Sequence, residues 1–420
     1  MNKKIKELHK ILEVPEARGP KPFSYQDQLR DFLFDKAPKQ ECLLMSGDNL
    51  DSLSQISSLG NSLADLCYVD PPYNTRNKFI YNDSINSTTS GTIFGSHQGW
   101  MSFMLPRLQL VHKMLKSSGF IVVSIDDNEY PYLKILLDVL FGDKNYIGSM
   151  VVCRSKNGKG SSKNIAVNHE YLVIYSKSQQ CQLNGLPEVP DDYCKSDEFG
   201  YYKVDGQFRK NGADSLRSDR PNMFYPLYYD KQGKVYVEQD ANNTLAEILP
   251  IDRSGTEKRW LWSKEKAKKD SWMLKATATG NVYVKNYYNE SKRKKARSLM
   301  LDNAYLSERG TNELKQIFGN KIFDTPKPLK LLEDVVDLCT PKEALVVDIF
   351  AGSGTMAHSV FNLNRYRGAN RSVILMEQDN PLPTKLLATR EGYNSILDIT
   401  QKRLDYLKSK DHHFDYKILK

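Results

Sequence analysis

The chain alternates short, nearly continuous apolar runs with longer stretches of helical spacing. Residues 63–70 (LADLCYVD) form a run of strand length that ends in an acid. Residues 103–119 (FMLPRLQLVHKMLKSSG) place Leu108, Val111 and Leu115 on one helical face, and Gly119 supplies a stop. A second strand is predicted over 120–126 (FIVVSID), a helix over 129–142 (EYPYLKILLDVLFG) and a third strand over 169–177 (HEYLVIYSK). Between them, residues 84–100 are rich in Ser, Thr and Gly and predict a mobile loop. The first 45 residues predict a polar, helix-leaning extension. Strands alternating with helices imply an α/β sheet.

From 181 to 320 this rhythm is lost. The segment is polar, aromatic and basic, with small strands such as KVYVEQ (234–239) and NVYVKNYY (281–288). Alternation returns with the helical PKPLKLLEDVVDLCT (326–340), the strand ALVVDIF (344–350), a glycine turn and VILMEQD (373–379). The expected organisation is an extension (1–45), one half of an α/β core (46–180), an inserted module (181–320) and the second half of the core (321–420).

Composition sharpens this in two places. Six cysteines (Cys42, Cys67, Cys153, Cys181, Cys194, Cys339) lack any C-x-x-C pair, which argues against a disulfide framework or a zinc site. No run approaches the ~18–20 apolar residues of a membrane span, and the N-terminus lacks a secretory apolar centre, so a cytoplasmic protein is expected. Residues 251–300 carry 14 Lys/Arg and 5 Asp/Glu, a local +9 that equals the net charge of the whole chain. Basic residues interleaved with aromatics suit a phosphate backbone with exposed bases. Lys292, Arg293, Lys294 and Lys295 are the densest cluster; a solvated charged face is the alternative.

Two motifs carry the chemistry. Asp70-Pro71-Pro72-Tyr73 follows an apolar strand, and neither proline can continue a ladder. The chain must stop and turn there, presenting a carboxylate, a rigid carbonyl and an aromatic ring together. That set fits an exocyclic amine on a base: two acceptors take its hydrogens, the ring stacks on the base, and positive charge developing on nitrogen is stabilised in place. A base inside a duplex is out of reach, so the target must be flipped out or unpaired.

The second motif runs Asp348-Ile349-Phe350-Ala351-Gly352-Ser353-Gly354-Thr355, between a strand and a helix. Its glycines permit a tight turn and close approach of a cofactor to the main chain. Glu377 ends the next strand 23 residues after Gly354, where a carboxylate accepts bonds from a ribose diol. Alone, the turn also satisfies the loose dinucleotide fingerprint, which leaves nicotinamide chemistry open, whereas no Lys follows as a P-loop requires.

Together the two motifs resemble the β class of S-adenosylmethionine-dependent DNA amino-methyltransferases, in which the catalytic motif precedes the cofactor glycines. RPNMFYPLYYD (220–230), GTEKRWLWSKE (255–265) and IFDTPKPLKLLEDVV (322–336) further resemble the modification subunits of type III restriction systems. The resemblance implies a doubly wound, mostly parallel Rossmann-like methyltransferase sheet with permuted motif order and an inserted target-recognition region. It implies methyl transfer from S-adenosylmethionine to adenine N6 in double-stranded DNA. Cytosine N4 is the close alternative and a non-catalytic recognition subunit a further one; Asp at position 70 leans toward adenine, since N4 relatives more often carry Ser there.

By resemblance, Asp70, Pro71, Pro72 and Tyr73 are catalytic. Asp348, Phe350, Gly352, Gly354 and Glu377 bind cofactor, as do Thr325, Pro326 and Lys327 at its methionine end and Asp48 near its adenine. Arg217, Arg220 and Asn222 are candidates for DNA contact, and so are Arg76 and Lys78 directly after the catalytic motif. A homodimer is expected, a restriction (nuclease/helicase) subunit as partner and action without one both stay open, and nothing in methyl transfer calls for a metal. His169 is expected to be structural, and Asp126 and Asp127 to cap a helix. Trp260 and Trp262 suit core packing or base stacking equally. The middle segment is short for a type III modification subunit.

Overall fold

A computed structural model describes residues 3–12, 14, 24–34, 41–75, 80, 83, 85, 94–157, 164–242 and 244–420. The chain divides into two compact units, Met1–Leu186 with Lys295–Lys420, and Pro187–Lys294. The insertion is therefore narrower than the expected 181–320.

The larger unit is built on a nine-stranded sheet, its strands numbered here in chain order: β1 (Glu41–Ser46), β2 (Ala64–Val69), β3 (Leu115–Ile125), β4 (Tyr146–Cys153), β5 (His169–Ser176), β6 (Leu299–Met300), β7 (Glu343–Asp348), β8 (Asn370–Glu377) and β9 (Asp415–Leu419). Their spatial order is β6-β4-β5-β3-β2-β7-β8-β1-β9, and only β5 runs against the rest. β2 lies beside β7 with Asp348 opposite Tyr68, so two segments distant in sequence end side by side. In an open α/β sheet such strand ends are where ligands bind.

Alternation along each central strand feeds two cores. In β2, Cys67 and Val69 join one layer while Leu66 and Tyr68 join the other. Helices Asn49–Leu59, Gln98–Met114 and Tyr130–Phe141 cover the first face; Leu329–Cys339, Thr355–Arg367 and Ile396–Lys410 cover the second. The sheet is doubly wound and mostly parallel, as expected.

Several local expectations shift. The helix expected through Leu115 ends at Met114; Leu115 opens β3 and pairs with Ala64, because strand pairing outcompetes one more helical turn. The expected loop over 84–100 already contains helix at Gln98, and Trp100 is fully buried. The N-terminal extension does contain two helices, but Glu41–Ser46 is an interior strand with Leu43, Leu44 and Met45 buried.

The smaller unit has its own core around Phe208, Tyr225, Leu227 and Trp260, with a four-stranded and a three-stranded antiparallel sheet. Trp260 is buried there, stacked on Phe208 at 5.3 Å and donating to the Tyr225 carbonyl, which settles its role as packing.

Candidate active site

At the carboxyl ends of β2, β7 and β8 opens a cavity of about 1400 Å³. Asp70, Pro71, Pro72, Tyr73, Thr325, Pro326, Lys327, Asp348, Phe350, Gly352 and Glu377 all line it. A pocket for one small ligand occupies roughly 300–1,000 Å³, so this volume exceeds what one such ligand needs.

The turn after β2 is pinned from three directions. Trp100 Nε1 donates to the Pro72 carbonyl at 2.7 Å. Buried Asp83 accepts from the Tyr73 and Thr75 backbone N–H groups at 2.8 and 2.7 Å. Asn74 takes a left-handed φ of 58° and donates to buried Glu129 at 2.7 Å. The Pro71 carbonyl carries no bonded donor among the described residues, and Pro71 lines the cavity.

Asp70, Tyr73, Glu170, Lys327 and Arg154 form one cluster. The Tyr73 hydroxyl donates to Asp70 Oδ1 at 2.9 Å and accepts from Lys327 Nζ at 2.7 Å. Lys327 also donates to both Glu170 oxygens at 2.9 Å and stands 3.2 Å from Asp70 Oδ1. Arg154 Nε lies 3.8 Å from Glu170. Burial pushes the Asp70 carboxyl up, Lys327 works against that, and Glu170 adds to it. Burial alone would also raise Glu170, but Lys327 and Arg154 hold it below its ordinary value. Among the described residues, no donor is bonded to Asp70 Oδ2.

On the cofactor side, Asp348 is buried and accepts from the Phe350 N–H at 3.1 Å, with no cation beside it among the described residues. Burial raises its carboxyl well above the usual range. A buried carboxylate without a cation calls for a cationic partner, which the ammonium of S-adenosylmethionine would supply if bound there. Glu377 accepts from the Gly352 and Gln378 N–H groups at 2.7 and 3.0 Å, and burial lifts it to about 7. Its remaining lone pairs suit hydroxyl donors. Gly352 and Gly354 both have positive φ, 53° and 76°. From helix Ile396–Lys410, Thr400 donates to the Gly352 carbonyl at 2.6 Å, and fully buried Arg403 donates to Thr355 Oγ1. The residues present fit the cofactor.

Some expected residues stand elsewhere. Gly47 and Asn49 line the cavity, whereas the Asp48 carboxylate caps helix Asn49–Leu59 and pairs with Arg107 at 2.9 Å. Lys327 belongs to the amine clamp as much as to any cofactor subsite. Asp126 and Asp127 line the cavity, and burial pushes Asp126 up to about 6; the following helix has no side-chain cap from either. His169 bonds Tyr171 at 2.9 Å, and it is the next residue, Glu170, that enters the clamp. Arg76 and Lys78 lie outside the described residues. In the smaller unit, Arg217 pairs with Glu257 at 3.0 Å and covers the Phe224 ring, while Arg220 and Asn222 are exposed. Lys294 sits between Glu188 and Asp192 at 3.6 and 3.5 Å; exposed Lys292 bonds Asn286 at 2.9 Å and stands 3.7 Å from Glu188, and Arg293 and Lys295 are also exposed.

Sequence reasoning missed Glu170, Arg154, Trp100 and Asp83. A lone acid at the head of the apolar run HEYLVIYS was the one available signal.

The family model described as DNA methylase matches residues 64–382. The type II methyltransferase M.KpnI of Klebsiella pneumoniae is 50% identical over 372 residues, covering 88% of each chain. The type III EcoPI Mod subunit of Escherichia phage P1 is 31% identical over 398 residues, 86% of this chain and 61% of that protein. Among solved structures, the PvuII DNA methyltransferase (cytosine-N4-specific) gives a TM-score of 0.42 at 13% identity, over 88% of this chain and 94% of that one.

Proposed function

The chain belongs to the DNA methylase family, an S-adenosylmethionine-dependent group acting on DNA amino nitrogens, and from that membership we propose how it reaches and methylates its target, adenine N6. The observation that carries the reading is the meeting of Asp70, Pro71 and Tyr73 with Asp348, Gly352 and Glu377 in one cavity.

Bound S-adenosylmethionine supplies an electrophilic methyl on a sulfonium. Everything else falls to the chain. Asp348 neutralises an ammonium, Glu377 accepts from a ribose, and the glycine turn lets both approach the backbone. Asp70 Oδ2 and the Pro71 carbonyl accept the two amino hydrogens and favour a tetrahedral nitrogen whose lone pair can attack. As positive charge grows on that nitrogen, the fixed Asp70 carboxylate stabilises it. The proton released after transfer passes to Asp70, whose burial-raised affinity suits it for that task, and then to water. The target base leaves the stack to enter, at a cost of a few kcal/mol. Contacts from exposed cations, Arg220, Lys292, Arg293 and Lys295, offset that cost through phosphate binding.

Within this reading the protein works on duplex DNA in the cytoplasm. The 88% mutual coverage with a type II methyltransferase, against 61% of a type III subunit, supports action without an obligate restriction subunit. The expected homodimer rests on resemblance alone; a monomer mass by light scattering would refute it.

The test is nucleoside mass spectrometry of duplex DNA incubated with the protein and methyl-labelled S-adenosylmethionine. N6-methyladenine is expected. N4-methylcytosine would overturn the adenine assignment, and no labelled nucleoside would overturn the whole reading.

A further inference from the structure

We propose that Glu170 is a positioning residue for methyl transfer: it draws the Lys327 ammonium off Asp70 and so keeps an Asp70 oxygen open for the incoming amine. The proposal rests on the methyltransferase reading of this cavity and deepens it.

The geometry is asymmetric. Lys327 Nζ stands 2.9 Å from both Glu170 oxygens but 3.2 Å from Asp70 Oδ1. The Tyr73 hydroxyl fills the gap, accepting from Lys327 and donating to Asp70 Oδ1. Lys327 is thus shared between the two carboxylates, closer to Glu170 than to Asp70, with the neutral Tyr73 hydroxyl bridging it to Asp70 Oδ1. An ammonium has three hydrogens and no directional fork, so losing Glu170 would free it to swing onto Asp70. Glu170 cannot be a solvated bystander, because it is 4% exposed and its backbone is paired in β5 with Val152 of β4. Arg154 joins the set 3.8 Å from Glu170 Oε2, its own N–H bonded to the Asn168 carbonyl and its carbonyl bonded by the Ser307 N–H. Two cations thus face two carboxylates.

The groups facing Asp70 are Lys327, Glu170, Tyr73 and Arg154, with Tyr68 and Asp348 behind. Removing the like charge of Glu170 lowers the Asp70 carboxyl; removing Lys327 raises it. The two changes therefore move the acid limb of kcat in opposite directions, which loss of packing alone does not do.

The experiment compares wild type, E170Q, K327M and E170Q/K327M by single-turnover methyl transfer to duplex DNA from pH 5 to 9, with S-adenosylmethionine affinity by calorimetry and thermal unfolding as folding controls. E170Q is expected to lower kcat about 10²-fold, the scale of a misplaced reacting group, and to shift the acid limb down. K327M is expected to shift it up. In the K327M background, E170Q is expected to cost less than about threefold, since Glu170 acts through Lys327. Wild-type kcat in E170Q, parallel shifts of both limbs, or losses that multiply in the double variant would each overturn the proposal. If wild type itself labels no DNA, the reading of the cavity fails instead, so the two failures are distinguishable.

Discussion

Glu377→Gln separates stability from cofactor binding at one position. Glu377 has a folded-state pKa of about 7, raised by burial from the ordinary 4.5. Between those values the folded protein holds a proton that the unfolded chain has released. Stability is therefore lost as pH rises through this window, the reverse of a salt-bridged carboxylate. The shift costs about 3 kcal/mol at pH 8, where the folded side chain is ionised, and about 1 kcal/mol at pH 5, where it is protonated while the unfolded chain has largely released its proton. Glutamine removes that cost but meets two N–H donors, from Gly352 and Gln378, with only one carbonyl oxygen. The mismatch takes back about 1–2 kcal/mol. The variant should gain about 1–2 kcal/mol over wild type at pH 8 and gain nothing, or lose slightly, at pH 5. Urea unfolding at both pH values, without ligand, measures this. In parallel, protonation of Glu377 should weaken wild-type affinity for S-adenosylmethionine up to about tenfold per pH unit below about 7, and the variant's weaker affinity should vary less steeply with pH, keeping only the share that comes from Asp348. A stability difference that is the same at pH 5 and pH 8 would refute the reasoning.

Other perturbations probe the supports of the site. A Cβ at Gly310 would run into the Pro326 carbonyl oxygen and lie 2.9 Å from the Lys327 carbonyl, so G310A should displace Lys327 and lower kcat at least tenfold, with a Tm change as the control. Thr400→Val deletes the 2.6 Å bond to the Gly352 carbonyl at nearly constant volume; KM for S-adenosylmethionine should rise about tenfold with kcat unchanged in steady-state assays. Replacing Lys292, Arg293, Lys294 and Lys295 with Ala should weaken binding to all sequences and flatten the dependence of log affinity on log salt, read by fluorescence anisotropy.

Both reactive motifs were legible because each is local. An acid and two prolines after an apolar strand force a turn wherever the strand sits, and glycines between strand and helix do the same. Their meeting was expected from resemblance, and the β2–β7 pairing supplies it. The supports were not legible, because each arrives from an unrelated element. Trp100 lies in a helix after a Ser- and Gly-rich stretch, and its indole reaches a carbonyl 28 residues back. Lys327 reads as part of a cofactor motif until Glu170, 157 residues away, is seen to hold it. β1 was hidden by length: CLLM is too short a run to outweigh the polar residues before it, and its partners β8 and β9 come from the far end of the chain.

Asp70→Ala offers the sharpest trial of a shared cavity in which amine clamp and methyl donor meet. Affinity for S-adenosylmethionine and methyl transfer to duplex DNA should be measured on one preparation of the variant. Affinity within a few-fold of wild type with transfer abolished is the predicted result, and transfer at the wild-type rate would contradict it.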